Sequence, residues 1–262
     1  MIIDREFIRY QRQIALSEIG EAGQAQLANL HVLMIGCGGL GSAASLYLAA
    51  AGVGRLVIVD DDEVDMSNLH RQVVYREQNV KSNKVEAMAS QLLALNSMVK
   101  VRTINTRLEK AQLELEVMLA EIVLDCSDNM PTRQLINQVC LEQKTDLVSA
   151  SATGWQGQFC VFDYQSGTEE QACYHCLYPF IELQQTRNCT TSGVVGPVVG
   201  ILGNYQALAV IQKFATGKFH LETSKLHLFD GLKMDWKVMG IIKDQQCSVC
   251  SRNKGVPVSL TE

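Results

Sequence analysis

The chain has no excess of positive charge. Across 262 residues, 23 Lys and Arg stand against 28 Asp and Glu, a net charge of −5. That balance excludes a protein devoted to gripping nucleic acid, because phosphate affinity needs a basic surface. An export signal is also missing from the start: Met1-Ile2-Ile3-Asp4-Arg5-Glu6 puts acids where a basic stretch belongs, and no apolar core follows. A cytoplasmic location is therefore expected. The most apolar stretch, residues 194–210, is interrupted by Asn204 and Gln206 and punctuated by Gly and Pro. It is read as a buried helix, not a membrane span, and its Gly196-xxx-Gly200 spacing as close helix packing. Internal repeats and low-complexity tracts are absent. With 47% apolar and 19% charged residues, disordered and collagen-like folds are excluded. There is no GxxxxGK[ST], so any ATP site is not a Walker-type P-loop.

What is present alternates. Residues 4–29 read as one or two amphipathic helices. Short apolar runs follow at 31–35, 56–59 and 122–124, with an alternating strand-like stretch at 99–104 and a further strand near 146–150, separated by helical stretches at 42–51, 80–96, 109–120 and 131–143. Strand and helix taking turns five times predict a doubly wound, mainly parallel, Rossmann-like α/β sheet. After Ser151 the pattern changes. Residues 159–164 look like a strand without a helix partner, and 165–193 read as a long polar loop, a length that is usually functional. The buried helix follows, then two strand-like runs at 225–229 and 234–241, expected as C-terminal antiparallel strands.

Gly36, Gly38 and Gly41 form GxGxxG between a strand and a helix. Such a turn lets backbone approach phosphate and aims a helix N-terminus at negative charge. Asp60 ends the next strand, where an acid holds a ribose hydroxyl and disfavours a 2′-phosphate. The motif alone fits NAD, FAD or ATP. The neighbours point to phosphoryl or nucleotidyl transfer. Arg71 and Lys84 are cations on the C-terminal side of the sheet, and Asp128 closes the fourth strand on the same edge. Cations offset charge developing on phosphate, and a carboxylate suits Mg²⁺. A nicotinamide site needs neither.

Nine cysteines are present. Cys173-x-x-Cys176 and Cys247-x-x-Cys250 supply four thiolates suited to a closed, structural zinc site, with disulfides or free thiols as alternatives. Cys189 stands apart beside Arg187, a cation that favours thiolate. Cys37, Cys126, Cys140 and Cys160 lie in or beside apolar elements and read as small core residues. His70 reads as a surface residue, and Trp155 and Trp236 as packing residues.

Arg9-Tyr10-Gln11-Arg12-Gln13, GCGGLG at 36–41, Ser67-Asn68-Leu69-His70-Arg71-Gln72, Lys84 and Asp125-Cys126-Ser127-Asp128-Asn129 together resemble the ThiF/MoeB/HesA family, bacterial relatives of ubiquitin-activating enzymes. The resemblance covers residues 5 to about 252. It implies an adenylyltransferase, a homodimer that uses Mg·ATP to adenylate the C-terminal glycine of a small ubiquitin-like sulfur carrier. It implies that Gly39 lines the phosphates with Gly36, Gly38 and Gly41, and that Asp60 holds the ribose. Asn68, Arg71 and Lys84 would contact the triphosphate, flanked by Asp62, Ser67 and Asn129. Asp128 would bind Mg²⁺, and Arg12 would reach the ATP of the opposite subunit. The two CxxC pairs would bind zinc, and Cys189 would link covalently to the activated carrier before a sulfur-donor protein acts.

One domain, 1–262, is expected, with a nucleotide-binding half at 5–150 and a carrier-binding, zinc and crossover-loop half at 151–262. Within the family, Thr191-Ser192-Gly193-Val194 is similar to the Thr-Ala-Gly-Val of the ThiF branch, whose carrier is ThiS and whose product serves thiamine thiazole synthesis. The MoeB branch, whose carrier is MoaD, usually has Glu-Ala-Gly-Val there. An NAD-dependent oxidoreductase and an inactive scaffold that docks a ubiquitin-like tail are the readings from other classes.

Overall fold

In the computed structural model, residues 4–166, 171–179 and 193–251 are described. Helices α1 (Asp4–Ile14) and α2 (Gly20–Asn29) lead into β1 (His31–Ile35), α3 (Gly39–Ala51), β2 (Arg55–Val59), α4 (Lys84–Leu95) and β3 (Lys100–Ile104). Then come α5 (Lys110–Leu119), β4 (Ile122–Asp125), α6 (Met130–Gln143), β5 (Asp146–Thr153) and β6 (Gln156–Phe162). The short α7 (Tyr174–Leu177), the long α8 (Gly196–Thr216), β7 (Lys225–Asp230) and β8 (Asp235–Gly240) complete the order. The eight strands form one sheet in the order β3-β2-β1-β4-β5-β6-β7-β8. The first five are parallel, and β6, β7 and β8 run antiparallel, as the change of pattern after Ser151 predicts.

Residue period sets the two cores. Val32 and Met34 of β1 face one apolar cluster with α3, α4 and α8, while Leu33 and Ile35 face another with α5 and α6. A strand buried on both faces reads as a continuous apolar run, which is why His31 to Ile35 shows no alternation. Because β2 lies on one side of β1 and β4 on the other, the strand order reverses at β1. The crevice beyond their C-terminal ends is where doubly wound folds bind ligand.

Two expectations need correction. The helix α8 is not buried throughout: Tyr205 and Leu208 are exposed while Val199, Leu202 and Gln206 are buried. No described helix is long and apolar enough to cross a membrane. Nor does Gly196-xxx-Gly200 mark helix packing. A Cβ on Gly200 would meet nothing within 4 Å, and one on Gly196 would lie 2.5 Å from the His70 carbonyl oxygen in a loop. The close contact between α8 and α3 falls at Gly203, where a Cβ would sit 2.4 Å from the Leu40 oxygen. Trp236 makes tilted ring contacts with Tyr205 and Phe229, whereas Trp155 is exposed.

Gln206 is the polar residue inside this apolar helix, and it is fully buried. Its Nε2 donates to the Asp125 oxygen at 2.9 Å and to the Val148 oxygen at 3.1 Å, tying α8 across β4 and β5. Replacing Gln206 with Leu deprives two buried carbonyls of a donor and should cost about 2 kcal/mol, read as a lower midpoint of urea unfolding. His31 and His227 are held below their ordinary pKa, first by burial. The folded state then takes up a proton less readily than the unfolded chain. Their contribution is complete above about pH 6.5 and declines as pH falls below it. In urea titrations between pH 8 and 5, His31→Gln should flatten that decline.

Candidate active site

The glycine loop sits at the strand reversal. Gly36 takes φ +101°, and a Cβ there would lie 2.5 Å from the Cys126 oxygen, so β1 turns hard against the loop after β4. A Cβ on Gly41 would come within 2.1 Å of the Gly36 oxygen, which fixes the helix against its own turn. Gly38 is different. Its would-be Cβ meets only Gln72 Nε2, at 3.9 Å, so the space in front of it is open. Gly38 is also the N-cap of α3 and provides no side-chain cap, leaving first-turn N–H groups for an incoming anion.

The acid and the cations gather around that loop. Asp60 Oδ2 accepts from the Cys37 N–H at 2.7 Å and Oδ1 from the Asp62 N–H at 2.9 Å. A carboxylate has lone pairs left after two such bonds, enough for a ribose diol. Burial pushes the Asp60 carboxyl up from its ordinary value, while Lys84 and the two N–H groups pull against it. Lys84, itself buried, pairs with Asp62 at 2.7 Å and stands 4.0 Å from Asp60.

Residues 65–75 wrap the start of α3. Asp65 accepts from the Ser67 N–H and Oγ at 2.8 and 2.5 Å, and Arg71 Nη1 donates to the Ser67 oxygen at 3.1 Å. Asn68 Nδ2 donates to Ser67 Oγ at 3.3 Å. The wrap is anchored by the Val74 N–H on Ser42 Oγ and by Tyr75 OH on the Cys37 oxygen, at 2.8 and 2.7 Å. His70 is exposed, as expected.

Asp128 is exposed at the C-terminal end of β4, and Asn129 caps α6 by accepting from the Thr132 N–H at 3.0 Å. Beneath them lies a buried polar cluster. Asp125 Oδ2 accepts from Arg133 Nη1 at 3.2 Å and Ser149 Oγ at 2.8 Å, and Oδ1 from Ser127 N and Oγ at 3.1 and 2.6 Å. Arg133 Nη2 donates to the Ser127 oxygen. Burial is the largest single influence and disfavours the guanidinium charge, but Asp125, Tyr174 and Cys126 together outweigh it and hold Arg133 above its ordinary pKa. Arg133, Gln206 and Tyr75 escaped the sequence reading. Arg133 stands four residues past Asn129, and Gln206 interrupts an apolar run; each was a signal of a polar group placed to bond.

Arg12 is not brought to this chain's own glycine loop. Tyr10 of α1 packs on Gly52, the C-cap of α3, and accepts from Asn96 Nδ2 at 2.8 Å. The glycine loop is at the other end of α3, about 20 Å away for a helix of 13 residues. Cys189, with Arg187 and Thr191-Ser192, lies outside the described residues.

The four remaining cysteines converge. Cys173 and Cys176 Sγ are 4.0 Å apart, Cys173 and Cys247 3.8 Å, and Cys176 and Cys250 3.4 Å. All four sulfurs lie within 4.8 Å of one another. A zinc–sulfur bond of about 2.3 Å gives a tetrahedral edge of about 3.8 Å, so the cluster fits zinc. These separations are far beyond a disulfide bond of about 2.05 Å. Burial pushes the core thiols of Cys37, Cys126, Cys140 and Cys160 up, Cys160 to about 12, which leaves them protonated and inert.

A profile of the ThiF family matches residues 10–249. The chain belongs to the ThiF family. It is 43% identical over 255 residues to the sulfur carrier protein ThiS adenylyltransferase of Escherichia coli K12, covering 97% of this chain and 99% of that one. It is 41% identical over 250 residues to the adenylyltransferase and sulfurtransferase MOCS3 of Xenopus laevis, covering 94% of this chain but 54% of that longer protein. Among solved structures, E. coli MccB with MccA-N7isoASN superposes with a TM-score of 0.80 at 23% identity, over 94% of this chain and 74% of that one. That likeness concerns the fold alone. Membership in the ThiF family sets aside the dehydrogenase reading of the glycine loop.

Zinc at the cysteine cluster would cross-link α7 to the C-terminal tail. Purified protein should carry about one zinc per chain by elemental analysis. Chelation, or Cys176→Ser, should raise protease cleavage around residues 171–179 and 244–251 and leave far-ultraviolet dichroism of the sheet nearly unchanged. Unaltered protease sensitivity would count against the site.

Proposed function

We propose that the chain adenylates the C-terminal glycine carboxylate of a ThiS-like sulfur carrier. The observation that carries this reading is one convergence. An uncapped helix N-terminus with an open Gly38, a ribose-directed Asp60, the cations Arg71 and Lys84, and the carboxylate Asp128 meet at one strand reversal. A carboxylate oxygen of the carrier attacks the α-phosphorus of ATP, the bond to the bridging oxygen breaks, and pyrophosphate leaves. Charge builds on the leaving group and on the non-bridging oxygens. Gly36, Gly38, Gly39 and Gly41 bring backbone close to the phosphates, and Asn68, Arg71 and Lys84 offset that charge, with Ser67 and Asp65 holding the Arg71 segment. Lys84 is pre-positioned by Asp62. Asp128, beside Asn129, offers oxygen ligands of the kind Mg²⁺ prefers, and bound Mg²⁺ would neutralise phosphate charge.

Arg12 completes the site in a homodimer, contributed from the opposite subunit. Its placement at the far end of α3 from the chain's own loop supports that reading. The Cys189 thiol, losing its proton to solvent, then attacks the acyl-adenylate carbonyl of the carrier, forming a thioester as the bond to AMP breaks, before a sulfur-donor protein delivers sulfur. The carrier is ThiS rather than MoaD, and the product serves thiazole synthesis. Full-length similarity to the E. coli enzyme and the Thr191-Ser192-Gly193-Val194 segment favour this choice. The cysteines that lie reduced in the core fit a cytoplasmic setting.

The test is carrier-dependent exchange between ATP and radiolabelled pyrophosphate, with ThiS and MoaD run side by side. Exchange with ThiS is expected, and Arg71→Ala or Lys84→Ala should slow it on the order of 10²–10³-fold. Exchange with MoaD alone would keep the chemistry and overturn the carrier. No exchange with either would overturn the proposal.

A further inference from the structure

We propose that Arg133 is a positioning residue for Asp128, setting the Mg²⁺ requirement of nucleotide binding without touching nucleotide or metal. The proposal rests on the nucleotide-activating reading above. Arg133 cannot be a contact residue. Its side chain is 6% exposed, and its guanidinium is committed to Asp125, Ser149 and the Ser127 oxygen.

Those partners define the turn that carries Asp128. Ser127 is gripped from both sides. Its N–H and Oγ bond Asp125 Oδ1, and its carbonyl oxygen accepts from Arg133 Nη2. The peptide that leaves Ser127 is the one that begins Asp128. Two bonds from one planar guanidinium, to Asp125 and to Ser127, fix that peptide more tightly than a single-point cation would. The other flank of the turn is fixed by crowding, since a Cβ on Gly36 would lie 3.0 Å from the Ser127 nitrogen and 2.6 Å from the Cys126 carbonyl carbon. The turn therefore sits between the phosphate loop and Arg133. Gly36 packs against it on one side, the Arg133 and Asp125 bonds hold it on the other, and Asn129 ties its far end to α6.

Groups that orient a metal ligand from behind typically change metal affinity 10- to 100-fold when removed. Two variants of the full chain separate positioning from folding. Arg133→Lys keeps a cation beside Asp125 but loses the two-pronged geometry. Arg133→Met combined with Asp125→Asn removes both charges, so neither is left buried and unpaired. ATP binding is measured by calorimetry in EDTA and then across a Mg²⁺ series, with urea unfolding as a check on folding.

In both variants the Mg²⁺ concentration that gives half of the metal-dependent gain in ATP affinity should rise about tenfold. The affinity in EDTA should stay within about twofold. An unchanged Mg²⁺ midpoint in a folded variant would overturn the proposal, and so would an equal loss of affinity in EDTA. Wild-type protein that binds ATP no better with Mg²⁺ than with EDTA would instead overturn the assignment of Asp128, and this proposal with it. Wild-type protein that binds Mg·ATP but activates no carrier would refute the substrate while leaving the Arg133 effect measurable.

Discussion

The Asp125 carboxylate is 1% exposed, and a charge so far from water must be met by bonds from its surroundings. Meeting it recruits three elements: Arg133 comes from α6, Ser149 from β5 and Ser127 from the turn after β4. The backbone carbonyl of the same residue separately takes Gln206 from α8. Four elements are thus tied to one residue, three of them through its buried anion. A Leu at position 125 would pack, but it would release the turn that presents Asp128 and leave Arg133 without a counter-ion. The cluster contributes definition of geometry more than net stability, because desolvating both charges offsets much of their attraction.

The same helix that balances Asp125 also holds the cysteine cluster. The next residue of α6 after Arg133, Gln134, donates to the Tyr178 oxygen at 2.7 Å, and its Oε1 meets His175 Nδ1 at 3.0 Å. His175 Nε2 in turn lies 3.2 Å from Ser248 Oγ. His175 and Ser248 are the inner residues of the two CxxC pairs, so both halves of the thiolate site are pinned to one point on α6. Asn137, a further turn along, accepts from the Tyr174 N–H and Tyr164 OH at 2.9 and 2.6 Å. Asn129, Arg133, Gln134 and Asn137 recur at helical spacing. This polar stripe runs beside the apolar face that Ile136, Val139 and Cys140 lay on the sheet, and it joins the Asp128 end of the molecule to the cysteine end.

How much of this was legible depended on period and on punctuation. Of the five parallel strands, β1, β2 and β4 were readable as short buried apolar runs closed by Gly or Asp and β3 by its alternation, and the alternation with helices fixed their sense. The positions of the glycine loop, Asp60 and Asp128 were readable as endings of apolar strands, and Lys84 as the start of a helix. The four cysteines were legible as two pairs, but their meeting across a gap of 70 residues was a matter of tertiary structure. The partners of Arg133 and Gln206 were not legible. Gln206 reaches carbonyls 58 and 81 residues away, and a polar residue inside a helix looks the same whether it faces solvent or a buried carboxylate. The exposed Tyr205 and Leu208 escaped for a related reason, since an apolar stripe around a whole helix carries no mark of which side lacks a neighbour.

The cation Lys84 shows how the site manages charge. At 5% exposure its ammonium cannot stand alone, and Asp60 and Asp62 accompany it. The two acids are not equivalent. Asp60 is buried and tied by two backbone N–H groups, so it is a fixed part of the loop. Asp62 has a side chain 66% exposed and holds Lys84 by a single short contact. Because Lys84 is buried, its pair with Asp62 is only half exposed, and losing it would leave Asp60, at 4.0 Å, as the remaining carboxylate near that charge among the described residues. The geometry thus holds a buried cation beside the glycine loop between two carboxylates, one buried and tied to backbone and one open to water.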